Sequence, residues 1–215
     1  MLYSKVPLSR YAWQLGNLSA VVCYCFDSQK NVKWSDVLNL RDKLKRFAPF
    51  INGTKTYPTI LELPRSMASA RVMDWWLSRN AVLDVLKEAS IQNFNADSLA
   101  ISVSHTPNAS VAILSADGSA VGIDIERSSR EIHDRVVERI KHKKDIRISE
   151  RLDYWIIKEA VLKASGASAL HDVVIIDKVN SFEYLASVTG RSFRVVLGAV
   201  PWGYRLAIAT ESLIE

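Results

Sequence analysis

The pentapeptide Gly122-Ile123-Asp124-Ile125-Glu126 places two carboxylates within a short apolar run. Successive side chains of a β-strand point to opposite faces, so we expect Asp124 and Glu126 on one face and the two isoleucines on the other. Neighbouring carboxylates repel each other unless a cation or strong hydrogen-bond donors lie between them, which favours a hard divalent ion such as Mg²⁺. The same pattern also occurs at solvated strand edges and turns, so the pentapeptide alone leaves both interpretations open.

The composition is typical of a soluble globular protein with a mild excess of basic charge. Of the 215 residues, 48% are hydrophobic and 24% are charged, which suits one large domain or two small fused ones. The net charge of +5 favours acidic partners, whether nucleic acid, phosphorylated small molecules or an acidic protein. Two cysteines cannot supply a disulfide framework, and neither a secretory leader nor a membrane-spanning run is evident. We therefore expect a cytoplasmic protein with no membrane partner.

Residues 99–114 predict two strands joined by a turn at Pro107-Asn108. Three polar residues close the first of these strands and could hold a phosphate: Ser104, His105 and Thr106. A second tight turn follows, and then the strand that carries the pentapeptide. Because this strand and the Ser-His strand are close in sequence, we expect them to be neighbours in one antiparallel sheet.

Residues 152–164 predict a helix that Gly166 ends. At about 100° per residue, Glu159 and Lys163 fall inside its apolar stripe and Lys158 flanks that stripe. Charged groups on an apolar face are costly to bury unless they are paired, so Glu159 and Lys163 could simply form an ion pair across one helical turn. Alternatively, Glu159 joins the two carboxylates of the pentapeptide and Lys163 meets a phosphate.

The rest of the chain predicts further helices and strands, and hence an α+β fold. Helices are expected over residues 36–47 and from about residue 66 to residue 88. Arg65 and Arg71 lie near the start of the second helix, where basic residues oppose the helix dipole, so they are either solvated or close to an anion. The basic stretch 128–151 is either a solvated surface or a docking surface for an acidic partner.

Three segments, in this order and spacing, resemble signatures of the 4′-phosphopantetheinyl transferase superfamily. They are Val103-Ser-His-Thr106, Gly122-Ile-Asp-Ile-Glu126 and Trp155-Ile-Ile-Lys-Glu-Ala-Val-Leu-Lys163. The family carries a Ser-His pair at a strand end, then Gly-x-Asp-x-Glu, then an aromatic residue followed by x-x-Lys-Glu-x-x-x-Lys. Each motif alone is weak, but the ordered triplet is specific, and the resemblance covers residues 101–166. The chain length is similar to that of the larger surfactin-type and enterobactin-synthetase-activating enzymes.

This resemblance implies two similar α/β lobes, each a long helix packed on a small antiparallel sheet, with the active site at the lobe interface. The N-terminal lobe would comprise residues 1–117 and the C-terminal lobe residues 118–215, related by a pseudo-two-fold axis in one compact unit. The resemblance also implies a monomer. The sequence itself shows no clear internal repeat.

The implied enzyme is a holo-[acyl-carrier-protein] synthase. It would transfer the 4′-phosphopantetheine arm of coenzyme A to a serine of an apo acyl or peptidyl carrier protein and release adenosine 3′,5′-bisphosphate. Such carriers serve fatty acid, polyketide or nonribosomal peptide biosynthesis, and their acidic helices agree with the basic net charge of this chain. Coenzyme A is then a co-substrate, and neither nucleic acid nor a membrane is expected as a partner.

The resemblance assigns roles to residues of all three segments. Asp124, Glu126 and Glu159 would hold Mg²⁺, which Mn²⁺ could replace. Asp124, Glu159 and Lys163 would be catalytic, with Glu159 accepting the serine proton directly or through a metal-bound water. Ser104 and His105 would hold the 3′-phosphate of the coenzyme. The full set expected to bind coenzyme A is Ser104, His105, Lys158, Lys163, Arg71 and Arg65.

One departure from the family lies shortly before the Ser-His strand. Related enzymes usually carry Gly-Lys-Pro there, and its lysine touches the coenzyme, whereas residues 90–98 contain neither lysine nor proline. Lys87 or Arg79 could substitute for that lysine.

Two other classes of protein fit part of the sequence. One is a basic nucleic-acid-binding module, which leaves the carboxylates unexplained, and the other is another Mg²⁺-dependent phosphoryl or nucleotidyl transferase.

Overall fold

The computed structural model describes residues 9–15, 18–24, 32–47, 62–63, 69–91 and 99–212. Within these ranges the chain has the predicted mixed α+β class, with two antiparallel sheets and four α-helices. The helices are α1 (Trp34–Lys45), α2 (Ser69–Ile91), α3 (Asp134–Ile140) and α4 (Arg151–Ser165). Arg65, the first residues of the predicted helix 66–88 and most of the segment 90–98 lie outside the described residues.

The first sheet has four strands in the order β1-β2-β4-β3. They are β1 (Ser9–Leu15), β2 (Leu18–Tyr24), β3 (Ala100–Thr106) and β4 (Ala109–Ser115). The predicted turn between β3 and β4 is confirmed, and Asn108 takes the left-handed conformation there, with φ +68°. Helix α2 packs on one face of this sheet, helix α1 packs against α2, and both helices contribute to an apolar core shared with the sheet.

The second sheet has five strands in the order β5-β9-β8-β7-β6. They are β5 (Val121–Arg127), β6 (Val174–Asn180), β7 (Glu183–Val188), β8 (Arg191–Val200) and β9 (Tyr204–Ser212). Helix α4 packs across β5, β9 and β8 and forms the second core. The predicted boundary at residues 117 and 118 falls in the turn between β4 and β5, and the division into two domains stays a prediction.

Helix α4 ends as its sequence predicts. Gly166 has φ +69°, and its N–H donates to the Leu162 carbonyl over 2.9 Å, which is the left-handed ending that glycine permits. None of the described helices, α4 and the longer α2 included, combines the length and the apolar character needed to cross a membrane.

The two sheets meet along β3 and β5, which corrects the expectation that these strands share one antiparallel sheet. Both strands are sheet edges, and β5 takes its backbone ladder from β9 instead. The free N–H groups of β5 donate to serine hydroxyls of β3: Ile123 to Ser102 over 3.1 Å and Ile125 to Ser104 over 3.4 Å. The partners advance together along both strands, so the strands run in the same direction. A third apolar core, which includes both isoleucines of the pentapeptide, lies between the sheets.

Candidate active site

Helix α4 passes directly over β5 at Gly122. A Cβ at this position would lie 2.0 Å from the Ala160 carbonyl oxygen and 2.5 Å from the Ala164 amide nitrogen. Because only glycine lacks a Cβ, it alone permits this approach of helix backbone to strand backbone. The two carboxylates of the pentapeptide lie on the same face of β5. They are thereby brought beside the part of α4 that carries Glu159 and Lys163.

Asp124 is buried, and its Oδ1 atom accepts two hydrogen bonds. Ser104 Oγ donates over 2.7 Å from β3, and Lys163 Nζ donates over 2.7 Å from α4. Lys163 Nζ also donates to Ser104 Oγ over 2.9 Å, which closes a triangle of three side chains. The other oxygen, Asp124 Oδ2, is buried and has no hydrogen-bond partner within the described part of the chain. One residue from each of the three sequence motifs thus meets at this carboxylate.

Glu126, two residues further along β5, is also buried and also held by donors on both sides. Thr106 Oγ1 donates to its Oε2 atom over 3.1 Å, and the Arg130 guanidinium pairs with its Oε1 atom. The Arg130 guanidinium carbon lies 5.0 Å from the centroid of the Trp155 ring, within the range of a cation–π contact. Sequence reasoning missed Arg130, because its contact with Trp155 of α4 exists only in the folded chain.

Glu159 is partly buried on the face of α4 that looks toward Asp124. Burial, followed by the negative charge of Asp124, raises the pKa of the Glu159 carboxyl, while Lys163 and Arg130 act in the opposite direction. A carboxylate with a raised pKa is a stronger base, which suits a group that accepts a proton. The helical spacing left open an ion pair between Glu159 and Lys163. In the structure, Lys163 pairs with Asp124 instead.

The side chains described so far surround a cavity of about 400 Å³. Six of the predicted site residues line it: Ser104, His105, Asp124, Glu126, Glu159 and Lys163. A second cavity, of about 430 Å³, adjoins it and shares His105 and Glu126 with it. The second cavity is also lined by Asp74 of α2 and by Arg127 and Arg130, which the sequence motifs do not single out.

Lys158 does not lie at either cavity, which corrects the expectation that it contacts the coenzyme phosphates beside Lys163. It is fully buried, 2.9 Å from Asp145 Oδ2, and it donates to the Val173 carbonyl over 2.5 Å. The two lysines are five positions apart, which places them about 140° apart around the helix. Lys158 therefore faces the interior of the C-terminal half of the chain, while Lys163 faces the cavity.

The remaining basic residues expected at the coenzyme lie elsewhere or outside the described ranges. Arg71 is exposed near the start of α2 and lines neither cavity. Of the two candidates for replacing the missing lysine, Arg79 is buried against the Trp75 ring and Lys87 pairs with Asp84. Neither of these two side chains lines either of the two cavities described above.

The site suits a divalent cation in its chemistry, although the carboxylates do not converge as they stand. Across the described ranges, no three His, Cys, Asp or Glu groups lie close enough together to hold a metal ion. Asp124 is paired with Lys163 instead, and Glu126 is paired with Arg130. Three carboxylates nevertheless line one cavity, and the unpartnered Asp124 Oδ2 is a buried oxygen of the kind that Mg²⁺ prefers. In the type of their donor atoms, these residues therefore fit such a cation.

A scan against protein-family models finds no match to this chain, and a search of the curated proteins finds no significantly similar sequence.

Proposed function

We propose that the chain is a 4′-phosphopantetheinyl transferase that modifies a serine of an apo acyl or peptidyl carrier protein. The observation that carries this proposal is the hydrogen-bonded triangle of Ser104, Asp124 and Lys163. It joins one residue from each of the three motifs that resemble the family. A buried carboxylate is costly in an apolar core, so its position at a cavity wall supports a functional role over a structural one.

Cationic and hydroxyl groups at the wall of the cavity would bind the phosphates of coenzyme A. Lys163 keeps 27% of its side chain exposed, so its ammonium group can exchange part of its contact with Asp124 for a phosphate oxygen. His105 is exposed at the junction of the two cavities and suits the 3′-phosphate, together with Ser104. Asp124, Glu126 and Glu159 would hold a magnesium ion, whose chemistry is to neutralise charge on the pyrophosphate.

Glu159 would act as the base for the incoming serine. Its carboxylate accepts the hydroxyl proton while the serine oxygen forms a bond to the phosphorus of the phosphopantetheine arm. The bond from that phosphorus to the bridging pyrophosphate oxygen breaks, and adenosine 3′,5′-bisphosphate leaves with the electron pair. The raised pKa of Glu159 supports this role, because a more basic carboxylate removes a proton more effectively.

The proposal extends to the architecture and the partner. A long helix on each of two sheets supports two lobes, residues 1–117 and 118–215, related by a pseudo-two-fold axis with the site between them. The basic stretch that follows β5 offers a surface of suitable charge for an acidic carrier. We propose that the enzyme works as a monomer in the cytoplasm.

The direct test is to incubate the protein with Mg²⁺, coenzyme A and several apo carrier proteins, and then to measure the mass of each carrier. The expected result is a gain of one phosphopantetheine on at least one carrier, and no gain with Asp124→Asn, whose side chain keeps the shape but loses the charge. The proposal fails if no carrier gains mass and coenzyme A leaves the melting temperature unchanged. A rise in melting temperature with nucleotides alone would instead favour another phosphoryl or nucleotidyl transferase, and salt-dependent binding of nucleic acid would favour the binding module.

A further inference from the structure

The acceptor atoms of the two carboxylates on β5 are almost all occupied. Glu126 accepts from Thr106 on one oxygen and from Arg130 on the other. Asp124 accepts from Ser104 and Lys163 on Oδ1, and only its Oδ2 atom is without a partner among the described residues. A divalent cation held by both carboxylates would share Glu126 with these two donors.

The two donors differ in how easily they can leave. Thr106 is 5% exposed, its backbone is fixed in β3, and a neutral hydroxyl does not repel a metal ion. Arg130 lies between β5 and α3, and its side chain is 40% exposed, against 9% for the Glu126 side chain. Its guanidinium can move into solvent or the second cavity without disturbing a sheet, and its positive charge opposes a cation placed at the same carboxylate. Arg130 is thus the donor that leaves.

The displaced guanidinium of Arg130 could remain in contact with the Trp155 ring. Arg130 already lies 5.0 Å from the ring centroid, and Trp155 lines the first cavity while Arg130 lines the second. A guanidinium that releases Glu126 but keeps its contact with the ring would face the space between the cavities. There it could pair with an anionic group of the substrate, because Arg binds phosphate oxygens in a planar, bidentate manner.

We propose that Arg130 occupies the cation position at Glu126 in the ligand-free protein, so that the guanidinium and the divalent ion compete for the same carboxylate oxygen. Arg130 is in this sense a positioning residue, which keeps the carboxylate compensated until the cation binds. This inference rests on the proposed function, because it concerns the same carboxylates. No motif in the sequence points to it, since it depends on contacts that Arg130 makes with β5 and α4.

The test is a titration of the protein with Mn²⁺ in the absence of coenzyme A, followed by electron paramagnetic resonance of the free ion. Arg130→Met keeps an apolar stem against Trp155 but removes the competing charge. We expect its Mn²⁺ dissociation constant to fall by roughly three- to fivefold, the upper part of the range for loss of an exposed ion pair. Arg130→Lys, which restores a cation that can reach Glu126, should return the affinity most of the way to that of the wild type.

Arg127→Met is the matched control, because Arg127 lines the same cavity but donates to the Pro107 carbonyl and not to Glu126. It removes the same charge and should leave the Mn²⁺ affinity within about twofold, since exposed charges at a distance are screened by salt. The inference is overturned if Arg130→Met binds Mn²⁺ no more tightly than the wild type, or if Arg127→Met gains as much. If the wild type modifies a carrier while either of these results holds, the proposed function stands and only this inference falls. If Arg130→Met gains affinity but no carrier is modified and coenzyme A leaves the melting temperature unchanged, the competition stands and the proposed function falls.

Discussion

Gly122 lies directly under Ala160, and the space between strand and helix does not admit a methyl group. A Cβ added to Gly122 would stand 2.0 Å from the Ala160 carbonyl oxygen, which is backbone and cannot turn aside. The first residue of the carboxylate motif is therefore a packing requirement. It sets the distance at which Glu159 and Lys163 of α4 can reach Asp124 of β5.

Replacing Gly122 with alanine should push α4 away from β5. We expect Gly122→Ala to lower the free energy of unfolding by about 1–3 kcal/mol or more, as overpacked sites do, and to weaken the bond between Lys163 and Asp124. Urea unfolding and turnover measure the two effects. Gly198→Ala is the control, because a Cβ at Gly198 of β8 would meet only the Leu206 side chain, at 3.4 Å. If both variants were equally stable, the close crossing of helix and strand would not exist in solution.

The two lysines of the third motif should have opposite phenotypes. Lys158→Met removes the partner of Asp145, whose side chain is 1% exposed, and should cost about 3 kcal/mol of stability. This cost is at the lower end of the range for a broken buried ion pair, because Tyr154 and two backbone N–H groups still donate to Asp145. Lys163→Met should change stability less and weaken coenzyme A binding more, as measured by calorimetry. A loss of coenzyme A affinity in a Lys158→Met protein of normal stability would contradict the buried position of Lys158.

The buried ion pair of Lys158 and Asp145 also predicts how the stability of the protein depends on pH. Burial alone would raise the pKa of Asp145, but the hydrogen bonds from Tyr154, Lys158 and the backbone outweigh it and hold that pKa below its usual range. The stabilisation is therefore fully present above the unfolded-state pKa of about 3.9 and is lost as the pH falls through the lower folded-state value. Relative to the wild type, Asp145→Asn should be markedly destabilised at pH 7 and progressively less so as the pH falls below about 3.9. Urea unfolding at a series of pH values would show this difference shrink, and a difference that stays constant would contradict it.

A surface carboxylate provides the comparison for that experiment. Asp134 pairs with Arg151 at the start of α3, and both side chains are more than half exposed. Exposed ion pairs contribute little to stability, so Asp134→Asn should differ from the wild type by less than about 1 kcal/mol at every pH. A pH response as large as that of Asp145→Asn would indicate a general charge effect instead of the buried pair.

The sequence predicts the elements and most of the cavity well, because these depend on local periodicity. The alternation of β5 and the spacing of α4 predict faces for Asp124 and Glu159 that, in the structure, line one cavity. The error over β3 and β5 arose because nearness in sequence predicts that strands are neighbours but not that their backbones pair. Here serine hydroxyls join the strands at the edges of two sheets.

The errors over the basic residues Lys158 and Arg130 have a different cause. A helical wheel places Lys158 beside the apolar stripe, but it does not reveal that Asp145, from the segment before the helix, packs against that side. Arg130 was hidden within a basic stretch, and nothing local separates it from its neighbours. Its role depends on Glu126 and Trp155, which only the tertiary fold brings to it. Periodicity in the sequence thus cannot predict which partners the charged groups of the site contact.

Replacing Glu159 should separate an effect on turnover from an effect on stability. Burial and the charge of Asp124 raise the pKa of Glu159, which means that the folded protein disfavours the charged carboxylate. Glu159→Gln keeps the shape and removes the charge, so without divalent cations its melting temperature should equal or exceed that of the wild type. Turnover should nevertheless fall by about 10²- to 10⁴-fold, the usual loss when a general base is removed.

Thermal unfolding in a chelating buffer and the carrier mass assay measure these two quantities on the same samples. Asp124→Asn is the contrast, because it leaves Lys163 without its anionic partner and should lower both the melting temperature and the turnover. A Glu159→Gln protein that turns over at the wild-type rate would remove Glu159 from the mechanism. A protein that is inactive only because it unfolds would show the carboxylate to be structural.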